Sequence, residues 1–147
     1  MREIKFRVWI GNTKEMLDVW EIDFNINQVI VGDDNEEIWS YYYSGHKQDC
    51  DLMQFTGRID KNGKEVFESD FLQDQHGVGE VVWLDSRGGW AVSTENEGYF
   101  YPHSYGEYQL KNTEVIGNKY ENPELLKELY NCGNPKMEES DFCEECL

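Results

Sequence analysis

The Asn62-Gly63 pair, which lies between two strand-like arms within residues 52–72, constrains this chain more than any other feature. A type I′ hairpin turn needs positive φ at both central residues, and Asn-Gly satisfies that requirement best. The two arms are rich in the β-branched and aromatic residues that strands favour. The sequence therefore predicts an antiparallel hairpin here, and a fold built on strand pairing.

Apolar residues that recur at every second position predict further strands along the chain. Residues 4–10 present one apolar side, made of Ile4, Phe6, Val8 and Ile10. Residues 17–24 alternate in the same way, with Trp20, Ile22 and Phe24 on one face. Apolar or aromatic runs predict strands at 29–31, 38–43, 78–84, 90–93 and 114–118, with weaker candidates at 99–101 and 107–110.

One helix is predicted near the end of the chain, over residues 122–130. Asn122 can cap its first turn and Pro123 suits the first helical position. One face of this segment is apolar at helical spacing, through Leu125, Leu126 and Leu129. Many short strands with turn signals and one late helix favour a mainly β fold, either a barrel or a sandwich.

The formal net charge of −17 limits the classes of partner. Nucleic-acid binding depends on basic side chains at the phosphates, so we expect no ordinary contact with DNA or RNA. An alternative is that the protein presents carboxylates as DNA presents phosphates, and thereby inhibits a host protein. No apolar run reaches the roughly 18 residues of a membrane span, so we expect a cytoplasmic protein without membrane contact.

Three segments together resemble one family, the YopX proteins of bacteriophages and prophages. They run from Met1 to Trp9, from Leu52 to Leu72, and from Glu114 to Leu126. We call the second segment the signature. Ser69 departs from the family pattern, in which a glycine is usual at this turn.

The resemblance implies a small SH3-like β-barrel with additional N-terminal strands, which assembles into homo-oligomers in the bacterial host cytoplasm. It implies no catalytic residues, because the family has no established activity. We therefore expect N-terminal strands over 1–50 and a barrel core over 51–121. A C-terminal helix and an acidic, cysteine-containing tail should follow over 122–147.

A zinc site is the one metal centre that the sequence suggests. Cys143 and Cys146 have the two-residue gap that lets both thiolates bind one Zn²⁺. Cys132 could join them, with Cys50 or His46 as the fourth ligand. The set lacks a second closely spaced pair, so free thiols and no cofactor are the preferred interpretation. The other histidines, His76 and His103, lie in no recognisable catalytic motif.

Acidic side chains are concentrated in and just after the signature, namely Asp60, Glu65, Glu68, Asp70 and Asp74. Two convergent carboxylates could serve a hydrolase or transferase, and this enzyme hypothesis is the alternative. Hairpin and turn chemistry explains Asp60 and Asp70 more simply. The preferred hypothesis is a non-enzymatic protein that acts through contacts with itself and with a host protein.

Aromatic side chains could in principle stack on single-stranded nucleic acid. The candidates are Trp39, Tyr41, Tyr42, Tyr43, Trp83 and Trp90. That mode of binding needs a basic groove, which the charge of this chain disfavours. We therefore expect these residues in the core and at a subunit interface, where Trp and Tyr are enriched.

Overall fold

The computed structural model describes residues 3–74, 77–86, 88–94 and 112–126, and this part of the chain is mainly β, as predicted. Eleven strands lie within it. The first five are β1 (Phe6–Ile10), β2 (Glu15–Asp18), β3 (Glu21–Asp23), β4 (Gln28–Gly32) and β5 (Ile38–Tyr42). The others are β6 (Asp51–Ile59), β7 (Glu65–Phe67), β8 (Asp70–Asp74), β9 (Gly77–Leu84), β10 (Gly89–Thr94) and β11 (Glu114–Asn118).

The strands form three antiparallel sheets, one of which gives the fold its curled half-barrel. The first sheet has the order β2-β1-β6-β7, and the second has the order β10-β9-β8-β11. The third has the order β3-β4-β5. Because β7 and β8 are separated by only two residues, the signature continues directly from the first sheet into the second.

Two apolar clusters hold these sheets together. In the first, Val8 and Ile10 of β1 pack with Val29 and Val31 of β4, so the first sheet contacts the third. In the second, buried side chains from four strands, β7, β8, β9 and β11, meet around Val81. The residues of the first cluster occupy alternate positions of β1 and β4, and in β1 this is the periodicity that the sequence showed.

The interpretation of residues 17–24 as one strand with one apolar face is wrong. The chain leaves β2 after Asp18 and enters β3 at Glu21. Of the three residues assigned to that face, only Ile22 packs against the buried cluster, whereas the side chains of Trp20 and Phe24 remain 57% and 74% exposed. The alternation crosses a strand boundary, so the shared face that it suggested does not form.

The signature hairpin is present, but its turn is wider than the predicted type I′ turn. Gly63 has a φ of 80°, and Asn62 is not among the residues with positive φ. The carbonyl of Asp60 accepts the N–H of Gly63 at 3.1 Å, and the N–H of Asp60 donates to Lys64 O at 2.8 Å. This arrangement fits a type I turn followed by a left-handed glycine, the usual form of a slightly longer hairpin loop.

The helix predicted over 122–130 is not seen as an element in the described part of the chain. Residues 122–124 are not helical and only Leu125 and Leu126 are, while the rest of the predicted apolar face lies outside the described residues. The weaker strand candidates at 99–101 and 107–110 lie outside them as well. The division at residue 50 stays a prediction; β6, which follows it, pairs with β1, which precedes it.

Ser69, between β7 and β8, has a φ of 70°, which lies in the left-handed region. The residue is buried, and its backbone is fixed on both sides. Its N–H donates to Val81 O at 2.9 Å, and its carbonyl accepts the N–H of Lys119 at 3.1 Å. A side chain at this φ costs free energy that glycine avoids.

We predict that Ser69→Gly is more stable than Ser69→Ala by about 1 kcal/mol, net of the larger entropy of glycine in the unfolded chain. Both variants lose the same hydroxyl, so the comparison isolates the backbone strain. Urea unfolding at pH 7 measures the difference. Equal stability of the two variants would contradict the strained turn.

Candidate functional site

Exposed apolar side chains are concentrated on the third sheet and its β3–β4 turn. Five large ones occur within residues 20–39, and we call this set the apolar sheet surface: Trp20, Phe24, Ile26, Ile38 and Trp39. Their exposed fractions range from 40% for Trp39 to 74% for Phe24. A concentration of exposed apolar side chains of this kind marks binding surfaces in soluble proteins.

Backbone geometry brings Trp20 and Ile38 to the same face of that sheet. The ring of Trp20 lies where a Cβ on Gly32 would stand, within 2.5 Å of that position. Gly32 is paired with Ile38 across the β4–β5 ladder, and paired residues share a face. Val29 and Val31, at alternate positions of β4, point to the buried side instead. The outer face of the sheet is therefore apolar at one end. The Trp20 ring can lie there because Gly32 has no side chain.

Two of the signature carboxylates, Asp70 and Asp60, hold the scaffold together through hydrogen bonds. Asp70 lies at the start of β8 and is 1% exposed. Its Oδ1 accepts from Arg7 Nη2 at 2.6 Å, and its Oδ2 accepts the N–H of Phe67 at 2.8 Å. Burial raises the pKa of Asp70, while the Arg7 charge and the Phe67 N–H oppose that shift.

Arg7 supplies the positive charge that stabilises the buried Asp70 carboxylate. Its guanidinium lies 4.5 Å from the centre of the Phe67 ring and also donates to Glu68 O at 3.4 Å. Its Nε is buried without a hydrogen-bond partner. Nearby, Lys5 forms an ion pair with Glu65 and lies 4.8 Å from the Phe55 ring centre.

Asp60 organises the signature hairpin and joins it to β11. Its Oδ1 accepts the N–H groups of Asn62 and Lys64, each at 2.8 Å, and its Oδ2 accepts that of Val115 at 2.9 Å. Burial raises the pKa of Asp60, but these three donors outweigh burial and the pKa is lowered overall. The hairpin and turn chemistry that the sequence suggested for Asp60 and Asp70 is therefore present.

The remaining signature acids lie elsewhere. Glu65 pairs with Lys5, and Glu68 accepts the N–H of Gln54 at 3.3 Å. Asp74 ends β8. The structure thus distributes these side chains over the strands and turns of two sheets, and the arrangement lends no support to a paired-acid centre.

Of the proposed zinc ligands, the structure describes Cys50 and His46. Cys50 is buried and its thiol donates to Tyr42 O at 3.4 Å. Burial, together with the charges of Asp49 and Asp51, raises the pKa of Cys50 to about 12, which keeps the thiol protonated. His46 lies in an exposed loop. The described residues contain no group of three potential metal ligands, and Cys132, Cys143 and Cys146 lie outside them.

Sequence reasoning missed the role of Arg7 and the exposure of the apolar sheet surface. Arg7 appeared only as a polar position of an alternating strand, and its partner is 63 residues away. Tyr41, Tyr43 and Trp90 pack on the buried clusters, as expected for core residues. Trp39 and Trp83 are 40% and 45% exposed in the single chain, and a subunit interface at these residues stays a prediction.

The half-barrel, its signature hairpin and the two structural aspartates define a small mainly β protein without an evident catalytic centre in the described residues. The family described as YopX protein matches residues 5–127, so the chain belongs to the YopX family. The prediction of the family is therefore confirmed.

One solved structure extends the comparison. The crystal structure of protein EF1440 from Enterococcus faecalis has a TM-score of 0.60 to this chain at 26% identity. The match covers 86% of this chain and 99% of that one. A comparison with curated proteins gave no match. In the described residues, none of the helices is long and apolar enough to cross a membrane.

We predict that Arg7→Met lowers the free energy of unfolding by about 3–5 kcal/mol, because it leaves the buried Asp70 charge unpaired. Adding Asp70→Asn should recover at least about 1 kcal/mol, since the neutral amide can still accept the Phe67 N–H.

Lys61→Met is the matched control for Arg7→Met. It breaks a half-exposed pair with Glu114 at 3.5 Å and should cost less than about 1 kcal/mol. Urea unfolding at pH 7 measures all three variants, and equal effects of Arg7→Met and Lys61→Met would contradict the prediction.

We predict that Asp60→Asn destabilises the protein by about 2–4 kcal/mol at pH 7, because its amide NH₂ would face a backbone donor. The lowered pKa gives the pH dependence. The stabilisation by ionised Asp60 is complete above the ordinary value of 3.8 and is lost as pH falls through the folded-state pKa. The difference between wild type and variant should therefore shrink below pH 3.8.

Urea unfolding over a pH series tests this dependence on Asp60. Asp85→Asn, in an exposed turn, serves as the control and should show little effect at any pH. A difference for Asp60→Asn that stays constant down to acid pH would exclude the ionised carboxylate as its cause.

Proposed function

We propose that this YopX protein is a non-enzymatic phage or prophage accessory protein that acts through protein contacts in the bacterial host cytoplasm. The observation that supports this proposal is the apolar sheet surface. It holds five of the eight large apolar side chains that are exposed in the described residues. Soluble proteins keep such area where another macromolecule covers it.

The electrostatics support a protein partner over a nucleic acid. A chain with a net charge of −17 repels phosphates over most of its surface. The same charge keeps separate molecules apart at long range, so a lasting contact must depend on apolar area at short range. The proposed partners are accordingly a host protein and further copies of the chain.

Self-association is the second element of the proposal. The candidate contact is the segment that begins with Leu125 and Leu126, with Leu129 and the tail over 131–147, as judged from the sequence. Docking of this segment on its own barrel is the competing arrangement. The two arrangements differ in the mass of the particle in solution.

We expect light scattering at about 100 µM to give a mass above that of one chain, because proteins with apolar interaction surfaces associate at such concentrations. A chain that ends at residue 130 should return to the monomer mass if the tail forms the contact. An unchanged assembly would assign the contact to another surface. A monomeric full-length protein at this concentration would refute self-association.

We also propose that the protein needs no cofactor and that Cys132, Cys143 and Cys146 are free thiols. Elemental analysis of protein purified under reducing conditions should find well below one zinc per chain, because a structural zinc site would retain its metal. Stoichiometric zinc that is lost in a Cys143→Ser and Cys146→Ser double variant would show that the thiols bind metal.

A further inference from the structure

β5 forms an edge of the third sheet, and the pattern of hydrogen bonds shows which of its residues face outwards. β4 pairs with β5 on one side. At Tyr42, the N–H donates to Asp49 Oδ1 at 2.6 Å and the carbonyl accepts the N–H of Asp49 at 3.0 Å. The loop at Asp49 therefore occupies the outer edge at this end of the strand.

Backbone orientation alternates along a strand in an antiparallel ladder, so residues two and four positions before Tyr42 point the same way. These are Ser40 and Ile38, which are both exposed. No backbone group of the described residues pairs with them on that side. An incoming strand could bind there through main-chain hydrogen bonds, as in β-strand addition.

The side chains beside this edge are apolar. Ile38 is 64% exposed and lies on the same face as the Trp20 ring. Trp39, on the opposite face, is 40% exposed. A strand laid along β5 would place alternate side chains on the two faces. Apolar side chains on the outer face would cover Trp20 and Ile38.

The charge around the edge is mainly negative, and Lys47, whose Nζ lies 5.8 Å from the Tyr42 ring centre, is the basic side chain beside β5 in the described residues. Residues 15–45 contain eight Asp and Glu and no Lys or Arg. The ion pairs of the described residues all lie outside this range. Glu36 and Glu37 stand directly before β5, in a turn that Asp33 holds through the N–H groups of Asn35 and Glu37 at 3.0 Å each.

We infer that the outer edge of β5 binds an extended segment of a basic protein, which adds a strand to the third sheet. Its alternate apolar side chains cover Trp20 and Ile38 on the outer face, and its Lys or Arg side chains meet Glu36 and Glu37. A second copy of this chain is a poor occupant, because it would bring eight further carboxylates to the same edge. This inference rests on the proposed function and adds the surface and the chemistry of the partner.

The probe is a fluorescent peptide of about eight residues that alternates lysine and valine, a length typical of a strand. One control peptide has the same composition with all lysines at one end. Another is the alternating peptide with N-methyl groups on the backbone nitrogens that would face β5. Loss of two main-chain hydrogen bonds should weaken binding of the N-methyl peptide about fivefold or more. The peptide with its lysines at one end keeps these bonds but cannot place its valines on one face, so it should also bind more weakly than the alternating peptide.

Substitutions in the protein test the same contacts through their effect on binding of the alternating peptide. Ser40→Pro removes an outward N–H while leaving the ladder to β4, and should weaken binding of the alternating peptide about fivefold. Glu36→Gln with Glu37→Gln should weaken it about fivefold at low salt. Asp85→Asn with Glu124→Gln removes two exposed acids elsewhere and should change binding less than about twofold.

Amide chemical shifts identify the surface directly. On addition of the alternating peptide, the N–H signals of Ile38 and Ser40 should move most. The inference is overturned if the control peptides bind as tightly as the alternating peptide. It is also overturned if the double variant at Glu36 and Glu37 and the double variant at Asp85 and Glu124 weaken binding of the alternating peptide equally, because the attraction then depends on overall charge alone. The N-methyl peptide keeps the test valid even if Ser40→Pro does not fold.

These outcomes are separate from those for the proposed function. A protein that self-associates but does not bind the alternating peptide in preference to its controls would refute the basic partner and leave self-association standing. Ser40→Pro that lowers the mass of the assembly without affecting peptide binding would assign the edge to a second copy, which also overturns the inference.

Discussion

The buried pair between Arg7 and Asp70 is the interaction on which the arrangement of the two four-stranded sheets depends. Arg7 belongs to β1 of the first sheet, and Asp70, 63 positions further along the chain, begins β8 of the second. A carboxylate that is 1% exposed is stable as an ion only beside an opposite charge and a hydrogen-bond donor. Arg7 and the Phe67 N–H supply both, so the N-terminal strand is tied to the turn from which the half-barrel continues.

Asp60, in the hairpin turn of the signature, also joins distant parts of the chain. Its carboxylate binds two N–H groups of its own loop and one of β11, so that a local turn becomes a long-range contact. Thr56 adds to this by donating its hydroxyl to Val66 O at 2.7 Å, beside the irregular pairing of β6 and β7. The acidic residues that made an enzyme conceivable are in these cases the ones that shape the scaffold, because a carboxylate can accept several backbone donors at once.

The third sheet differs from the other two in what it leaves uncovered. Its inner face contributes Val29 and Val31 to a buried cluster, which anchors the sheet on β1. Its outer face and edge keep apolar side chains in solvent within a stretch that carries only negative charge. Natural sheets protect such edges with lysine, proline or a covering segment, and Ile38 to Ser40 carry neither lysine nor proline. Within the described residues, this contrast between a stable scaffold and an uncovered edge is the basis of the proposed interaction role.

The sequence by itself determined the family, the mainly β class and the positions of most strands, because alternation and turn residues act over a few neighbours. It also explained Asp60 and Asp70 as turn residues, since their N–H partners in the chain are close. Only the tertiary structure decided that Arg7 meets Asp70, that Asp60 reaches Val115, and that the hairpin turn is wider than Asn62-Gly63 alone suggests. It also decided that Trp20 faces solvent while Ile22 is buried. These outcomes depend on which sheets pack together, and local periodicity carries no information about contacts between residues far apart in the chain.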